Sequence, residues 1–459
     1  MKSKTDEEII NKKLNYQQTY ISISFIFGFS SISELAIQYF LKDVIKIEPA
    51  NMSIFYSLLA IPFSIKPIFG FLTDLCPIYS YRRKPYIIMC GVTATVGWLY
   101  LYYFYERLNL YETFFIMFII SSSFSFCTVL SEALVVELSM MESEGEDLSK
   151  NYVSYFFFFK HVGGLLAAML KGLLVEFIGI RSVFLAASMV PFFISISGLF
   201  LKEEKIEVTH NEYHSMSNQN YFSSFYGFIT KKEILLPSLF IVLIMSTPSY
   251  ADPMFYFITN KLNFTPTEIG TISVFSYCGT ITAIVSYRYY FKNFTFKSIM
   301  IGGDGLYFIF SFLTYCLVQR YNVLLGIPDF LFISVSYSML SLLGELIIMP
   351  MLSLACIVCP KNLEASVYSY FLSLVNFSSI LSSLIGALLT YLLGIKANNF
   401  DNLPVLVLIA NFTYILPLIW LLWLKESYFS PEKEKQNKID KEAKQDVLDI
   451  QEKTKLIIN

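Results

Sequence analysis

Charge is the commodity this chain has least of: Asp, Glu, Lys and Arg make up 15% of 459 residues, where globular domains carry roughly 25%. So few charges cannot coat a water-facing surface of this size, and most of the outer surface must face lipid. There is no net basic charge either. At −2 the chain lacks the electrostatic field that nucleic-acid binding requires. Histidine is reduced to three residues, and only His161 falls in an apolar stretch. No serine-nucleophile motif, metal cluster or phosphate loop accompanies it, and the run Gly302-Gly-Asp-Gly305 is too short and unplaced for a nucleotide fingerprint. A membrane enzyme or sensor is therefore disfavoured, and no cofactor or metal is expected. The seven cysteines sit mostly in apolar stretches. Cys356 and Cys359 form a close pair without the second pair that zinc needs, and read as small buried residues. Residues 1–18 are polar and of mixed charge, without the basic start, short apolar core and cleavage site of a secretory signal. The first apolar helix is then the insertion signal.

What is present in quantity is apolar sequence, 55% of residues, with 17% aromatic and a mean hydropathy of +0.55. A hydrocarbon core of ~30 Å needs about 20 helical residues. Spans of that kind are predicted near 20–41, 51–73, 85–104, 113–139, 152–176, 181–201, 233–260, 266–287, 298–319, 328–358, 362–393 and 403–424. The fold class is all-α integral membrane, with about twelve transmembrane helices. The polar stretch 202–232 divides the array into two six-helix halves, 20–201 and 233–425, preceded by a cytoplasmic segment 1–19. The tail 426–459 alternates Lys with Glu or Asp, has too few apolar residues to fold alone, and is expected to be disordered or a frayed helix. Lysines and arginines are more frequent in the loops that a cytoplasmic N-terminus would place inside, among them Arg82, Arg83, Lys84, Lys231 and Lys232. That bias and the even helix count place both termini in the cytoplasm.

The halves share a local pattern. Glu34 precedes Tyr39-Phe40-Leu41 and Pro49 opens the next span, while Asp252 precedes Tyr256-Phe257-Ile258 and Pro266 opens the next. Equivalent helices of the same polarity indicate a parallel repeat.

Ionisable residues inside membrane helices cost roughly 2.5–3.5 kcal/mol at the bilayer centre, so they face a polar cavity or a partner. Glu34, Lys66, Glu132, Lys160, Asp252 and Glu345 fall within predicted spans, one carboxylate in each of the first, fourth, seventh and tenth. They are the candidate substrate-binding or coupling residues. The bland alternative is interhelical ion pairing or snorkelling, and it is preferred for Lys171 and Glu176 near the fifth helix's end. Lys160 and Lys171 are almost whole turns apart and share a helix face about 16 Å long, beside Gly163 and Gly164. A second motif joins Gly70 and Asp74 to Arg82 and Arg83. An aspartate and arginines at such a junction can form a gating latch whose charge-assisted bonds break on switching.

That junction is similar to the inner-loop motif of major facilitators, and a narrower resemblance follows from longer stretches. SELAIQYFLK at 33–42, IKPIFGFLTD at 65–74, YRRKPY at 81–86, TPSYADPMFYF at 247–257, Met349-Pro350, CPKNLEAS at 359–366 and GALLT at 386–390 resemble the folate–biopterin transporter family. The Asn, Lys, Ile, Tyr and Phe bias suits an AT-rich genome, such as its apicomplexan members have. The resemblance implies a major facilitator fold and secondary active transport of folates, pterins or related p-aminobenzoate compounds by alternating access, with protons as candidate coupling ions. The plasma membrane is the expected site and an organelle membrane the alternative. Two departures bear on cargo. Glu132 stands where the family usually has aspartate, and the tenth helix has Ser336 in place of an acid and Glu345 in place of an amide. A major facilitator carrier of another small organic anion or metabolite is the alternative reading.

Overall fold

The computed structural model describes residues 2–140, 145–203, 205, 226–227, 229–291, 294–358 and 364–423. Most of the expected central loop 202–232 and all of the tail 426–459 lie outside the described residues.

Nine helices among the described residues are long and apolar enough to cross a membrane. The first path is α1 (Lys2–Phe29), a 3₁₀ turn at Ser30–Ser33, and α2 (Glu34–Tyr39). Helix begins at residue 2, so the polar start expected over 1–19 is a helical extension of the first crossing. The second path is broken into α3 (Pro49–Leu59), α4 (Ile61–Ser64) and α5 (Lys66–Leu75). Pro62 and Pro67 lie in the first turns of α4 and α5, where a missing N–H is harmless and a preceding break is favoured. Then come α6 (Lys84–Tyr103), α7 (Leu110–Met140) and α8 (Gly145–Phe200). The apolar part of α8, Tyr155–Phe200, has 46 residues, about 69 Å of helix at 1.5 Å per residue, more than two bilayer cores. It reverses at Gly179, whose φ of 80° and ψ of 158° fall in a region open essentially only to glycine.

The second half repeats the plan with α9 (Lys232–Met245), α10 (Ala251–Tyr256), α11 (Pro266–Ser286), α12 (Phe296–Val318), the short α13 (Tyr321–Leu324), α14 (Asp329–Val358), α15 (Glu364–Leu392) and α16 (Leu403–Trp423). With α8 counted twice and the broken paths once each, the helices are consistent with twelve crossings. The repeat extends to single hydrogen bonds. After α2 the chain widens into a π turn at Phe40–Val44, and after α10 into one at Phe257–Lys261. Ile45 and Ile47 donate to the Phe40 and Leu41 carbonyls, and Leu262 and Phe264 donate to the Phe257 and Ile258 carbonyls. Lys46 and Asn263 follow with φ of 60° and 57°, and Pro49 and Pro266 open the next helices. The Tyr-to-Pro pattern in the sequence is thus the trace of one turn built twice.

The halves meet where α8 packs along α11 and where α3 and α4 pack against α15. One approach is backbone to backbone: a Cβ on Gly270 would lie 2.9 Å from the Gly172 Cα, and one on Gly172 would collide with the Pro266 carbonyl. Small residues let helices touch in this way, where lipid supplies no hydrophobic drive to association.

Candidate functional site

Lipid cannot solvate a charge, so each intramembrane acid must find a donor inside the protein. The structure supplies one for three of the four, and for the fourth a basic neighbour just beyond hydrogen-bond distance. Glu34 Oε2 lies 3.1 Å from Lys171 Nζ, Glu132 Oε1 lies 2.7 Å from Lys66 Nζ, Asp252 Oδ2 accepts from the Ser53 hydroxyl at 2.7 Å, and Glu345 Oε1 lies 3.6 Å from His161 Nε2. The first two pairs are internal to the N-terminal half. The last two cross between halves. For Lys171 the expected ion pair is found, and its partner is one of the candidate substrate acids.

Lys160 has no carboxylate within ion-pair distance among the described residues. Its Nζ sits 5.2 Å from the Phe27 ring centre and 5.7 Å from that of Phe157, close enough for cation–π attraction. It reaches there because α1 and α8 approach at Gly28, where a Cβ would collide with the Lys160 carbonyl itself. Lys160 lines a cavity of about 530 Å³ with Glu34, Tyr56, Trp98, His161 and Tyr277, and its lining also includes Ser30, Ser31, Ser121, Phe27, Phe63 and Phe124. That volume and mixture, mostly apolar with a few convergent polar groups, suit a small organic ligand. The Tyr56 hydroxyl and His161 Nδ1 are buried with no hydrogen-bond partner among the described residues.

At the end carrying residues 42–48, 260–267 and 395–400, the halves are joined. Lys42 donates to Asn260 Oδ1 at 3.0 Å, the Ala397 amide to Glu48 Oε2 at 2.8 Å, the Thr267 amide to Glu176 Oε2 at 3.0 Å, and the Tyr256 hydroxyl to the Ile47 carbonyl. The cavity is closed on that side. Deeper in, Asn376 donates to the Phe63 carbonyl at 3.1 Å.

The sequence profile of the BT1 family matches residues 28–444. The chain belongs to the BT1 family. It is 32% identical over 391 residues to folate transporter 2 of Plasmodium falciparum, covering 85% of this chain and 84% of that one. It is 30% identical over 401 residues to the folate-biopterin transporter of Synechocystis, covering 87% and 80%. Among solved structures, a D-xylose-proton symporter superposes with a TM-score of 0.67 at 11% identity over 91% of this chain and 99% of that one. The nucleoside transporter NupG does so at 0.65 and 14%, over 90% and 98%. At such identities the solved structures show the fold alone, the major facilitator architecture. Membership of the BT1 family, with these relatives, makes the chain an integral membrane transporter and not an enzyme.

On the other face of this BT1 chain, the Arg82 junction takes a specific form. The Glu203 carboxylate accepts from the backbone amides of Arg82, Arg83 and Lys84 at 2.8–3.1 Å, closing the N-terminus of α6 as a carboxylate should. Gly70 and Asp74 lie on α5, and the Asp74 side chain lies outside the described residues. Arg83 is buried. Sequence reasoning singled out the four acids but missed Ser53 and His161 as their partners and Glu203 as the clamp. A serine or one histidine in an apolar run carries no periodic signal. Asp304 was also passed over. It is fully buried, with Oδ1 accepting from Tyr414 at 2.9 Å, and Tyr414 stacks on Tyr307.

Proposed function

We propose that this transporter carries folates, reduced folates or pterins by alternating access. The observation that carries the reading is Lys160, a cavity cation flanked by two phenyl rings and left without a carboxylate partner among the described residues. An unpaired ammonium lining a mostly apolar cavity calls for an anion from outside the protein, and the glutamate tail of a folate supplies one. A pterin offers an amino group and a ring N–H side by side, which a carboxylate accepts as a bidentate pair. Glu34 is suited to this role, since its side chain is half exposed toward the cavity while Lys171 holds one oxygen. The cavity's phenyl and indole walls can stack a flat ring. Relatives named as folate and folate-biopterin transporters support the cargo class.

Lys66, Glu132, Asp252 and Glu345 complete the proposed binding and coupling set, with protons as the coupling ion and Glu34 and Asp252 as candidate acids. Gly70, Asp74, Arg82 and Arg83 form the proposed gating latch. Both termini are placed in the cytoplasm, the halves as 20–201 and 233–425, and the protein in the plasma membrane.

The test is uptake of labelled folate and labelled biopterin in a transport-null host, with methotrexate and p-aminobenzoate as competitors. Lys160→Ala removes a charge-assisted partner worth about 1.5–3 kcal/mol, so folate uptake at subsaturating concentration falls roughly 10- to 100-fold while biopterin uptake is spared. A parallel fall for both cargoes, or none for either, removes Lys160 from the tail-binding role. Wild-type uptake of neither cargo overturns the substrate class.

A further inference from the structure

Of the four acid contacts, the one between His161 and Glu345 differs in kind. His161 is on α8 in the N-terminal half and Glu345 on α14 in the C-terminal half, and each side chain is 13% exposed. Their 3.6 Å separation is too long for a hydrogen bond between neutral groups. Such a contact gains most of its strength when the imidazole is charged. The second ring nitrogen, Nδ1, is buried and has no hydrogen-bond partner among the described residues, so no carbonyl or carboxylate there fixes one neutral tautomer. His161 also lines the cavity beside Lys160 and is the only described histidine.

We infer that His161 and Glu345 form a proton-binding clasp between the halves, closed when His161 is protonated and released when it is neutral. A rigid half moving against the other during alternating access must break or make every contact between them. A contact whose strength depends on one proton therefore links proton binding to the conformation in which it exists. Here that conformation is the one closed at residues 42–48, 260–267 and 395–400. Protonation adds an ion pair, so this conformation gains population as pH falls and loses it as pH rises.

The titratable and charged groups facing His161 are few. Tyr277 on α11 has its ring centre 6.4 Å away, and is itself close to Glu34 and Lys171. Lys160, adjacent in sequence, interacts electrostatically with Glu345, and also with Lys66 and Glu132. Glu34 with Lys171 and Lys66 with Glu132 are already matched as two ion pairs, which leaves Glu345 facing two basic side chains, His161 and Lys160. An anionic cargo that takes Lys160 for itself leaves Glu345 to His161. Cargo and proton thus favour the same closed arrangement. The inference rests on the transporter fold and not on folate as cargo.

The test needs no cargo. Spin labels replace Val44 and Lys396, exposed positions on opposite halves at the closed end, in a chain whose seven native cysteines are replaced by serine or alanine, reconstituted in lipid nanodiscs. Distance distributions are recorded between pH 5.5 and 8. A charge-assisted contact exceeds a neutral one by about 1 kcal/mol, so the ratio of closed to open populations should rise about fivefold toward low pH. His161→Gln and, independently, Glu345→Gln should each flatten that response. If the first variant does not fold, the second decides. No pH response in the parent chain, or an unchanged response in either variant, overturns the clasp.

Discussion

The Lys66–Glu132 pair offers the most decisive test of which intramembrane charges hold the fold and which meet cargo. Both residues stand in the proposed binding set, yet each already has a partner, at 2.7 Å, with side chains 7% and 12% exposed. They join α5 to α7 within one half, and Glu132 Oε2 is buried without a further partner among the described residues. Lys66→Met leaves the Glu132 carboxylate alone in a dry interior, which costs about 3–5 kcal/mol. Replacing both, as Lys66→Met with Glu132→Leu, removes the orphan charge and fills the space, and such exchanges are about neutral or stabilising by 1–4 kcal/mol. With roughly 2–4 °C of Tm per kcal/mol for a chain of a few hundred residues, the single variant should melt on the order of 10 °C lower in detergent. The double variant should return to within a few degrees of the parent. The double-mutant cycle isolates the pairwise energy because the two positions touch. Uptake then assigns the role: a stable double variant that still transports marks the pair as structural, whereas a stable one that does not shows that these charges meet the cargo. A double variant that melts as low as the single would refute the orphan-charge argument itself.

Three further outcomes are expected. Glu203→Gln weakens three amide contacts at the start of α6 and should lower stability by about 1–2 kcal/mol in a thermal melt, while Arg82→Gln, whose amide is what Glu203 uses, should stay within about 0.5 kcal/mol. Gly270→Val pushes a side chain into the Gly172 backbone and should open the closed end, so that a cysteine at Asn260 reacts several-fold faster with a membrane-impermeant maleimide; unchanged labelling would count against closure at that point. Ser53→Ala removes the hydroxyl that Asp252 accepts across the halves and should shift the Val44–Lys396 distance toward open by a factor of roughly 10 in population, for about 1.5 kcal/mol, with recovery in Ser53→Thr.

The sequence by itself determined the solvent this protein lives in, the approximate positions of its crossings and the existence of its repeat. Those follow from local quantities: hydropathy over about 20 residues, the spacing of Pro49 and Pro266 from their tyrosines, and the scarcity of charge. It also marked Glu34, Glu132, Asp252, Glu345, Lys66 and Lys160, because a charge in an apolar run stands out wherever it faces. Pairing was beyond it. Whether Glu34 meets Lys171 or a ligand, and whether Glu345 meets His161, depends on which helices adjoin, and that is set by glycine contacts such as Gly28 on α8 and Gly172 on Gly270. Neither contact leaves a periodic trace, since the residues involved lie far apart in sequence. The tertiary structure alone separated the matched acids from Lys160, because only packing decides which charge is left facing the cavity without a partner.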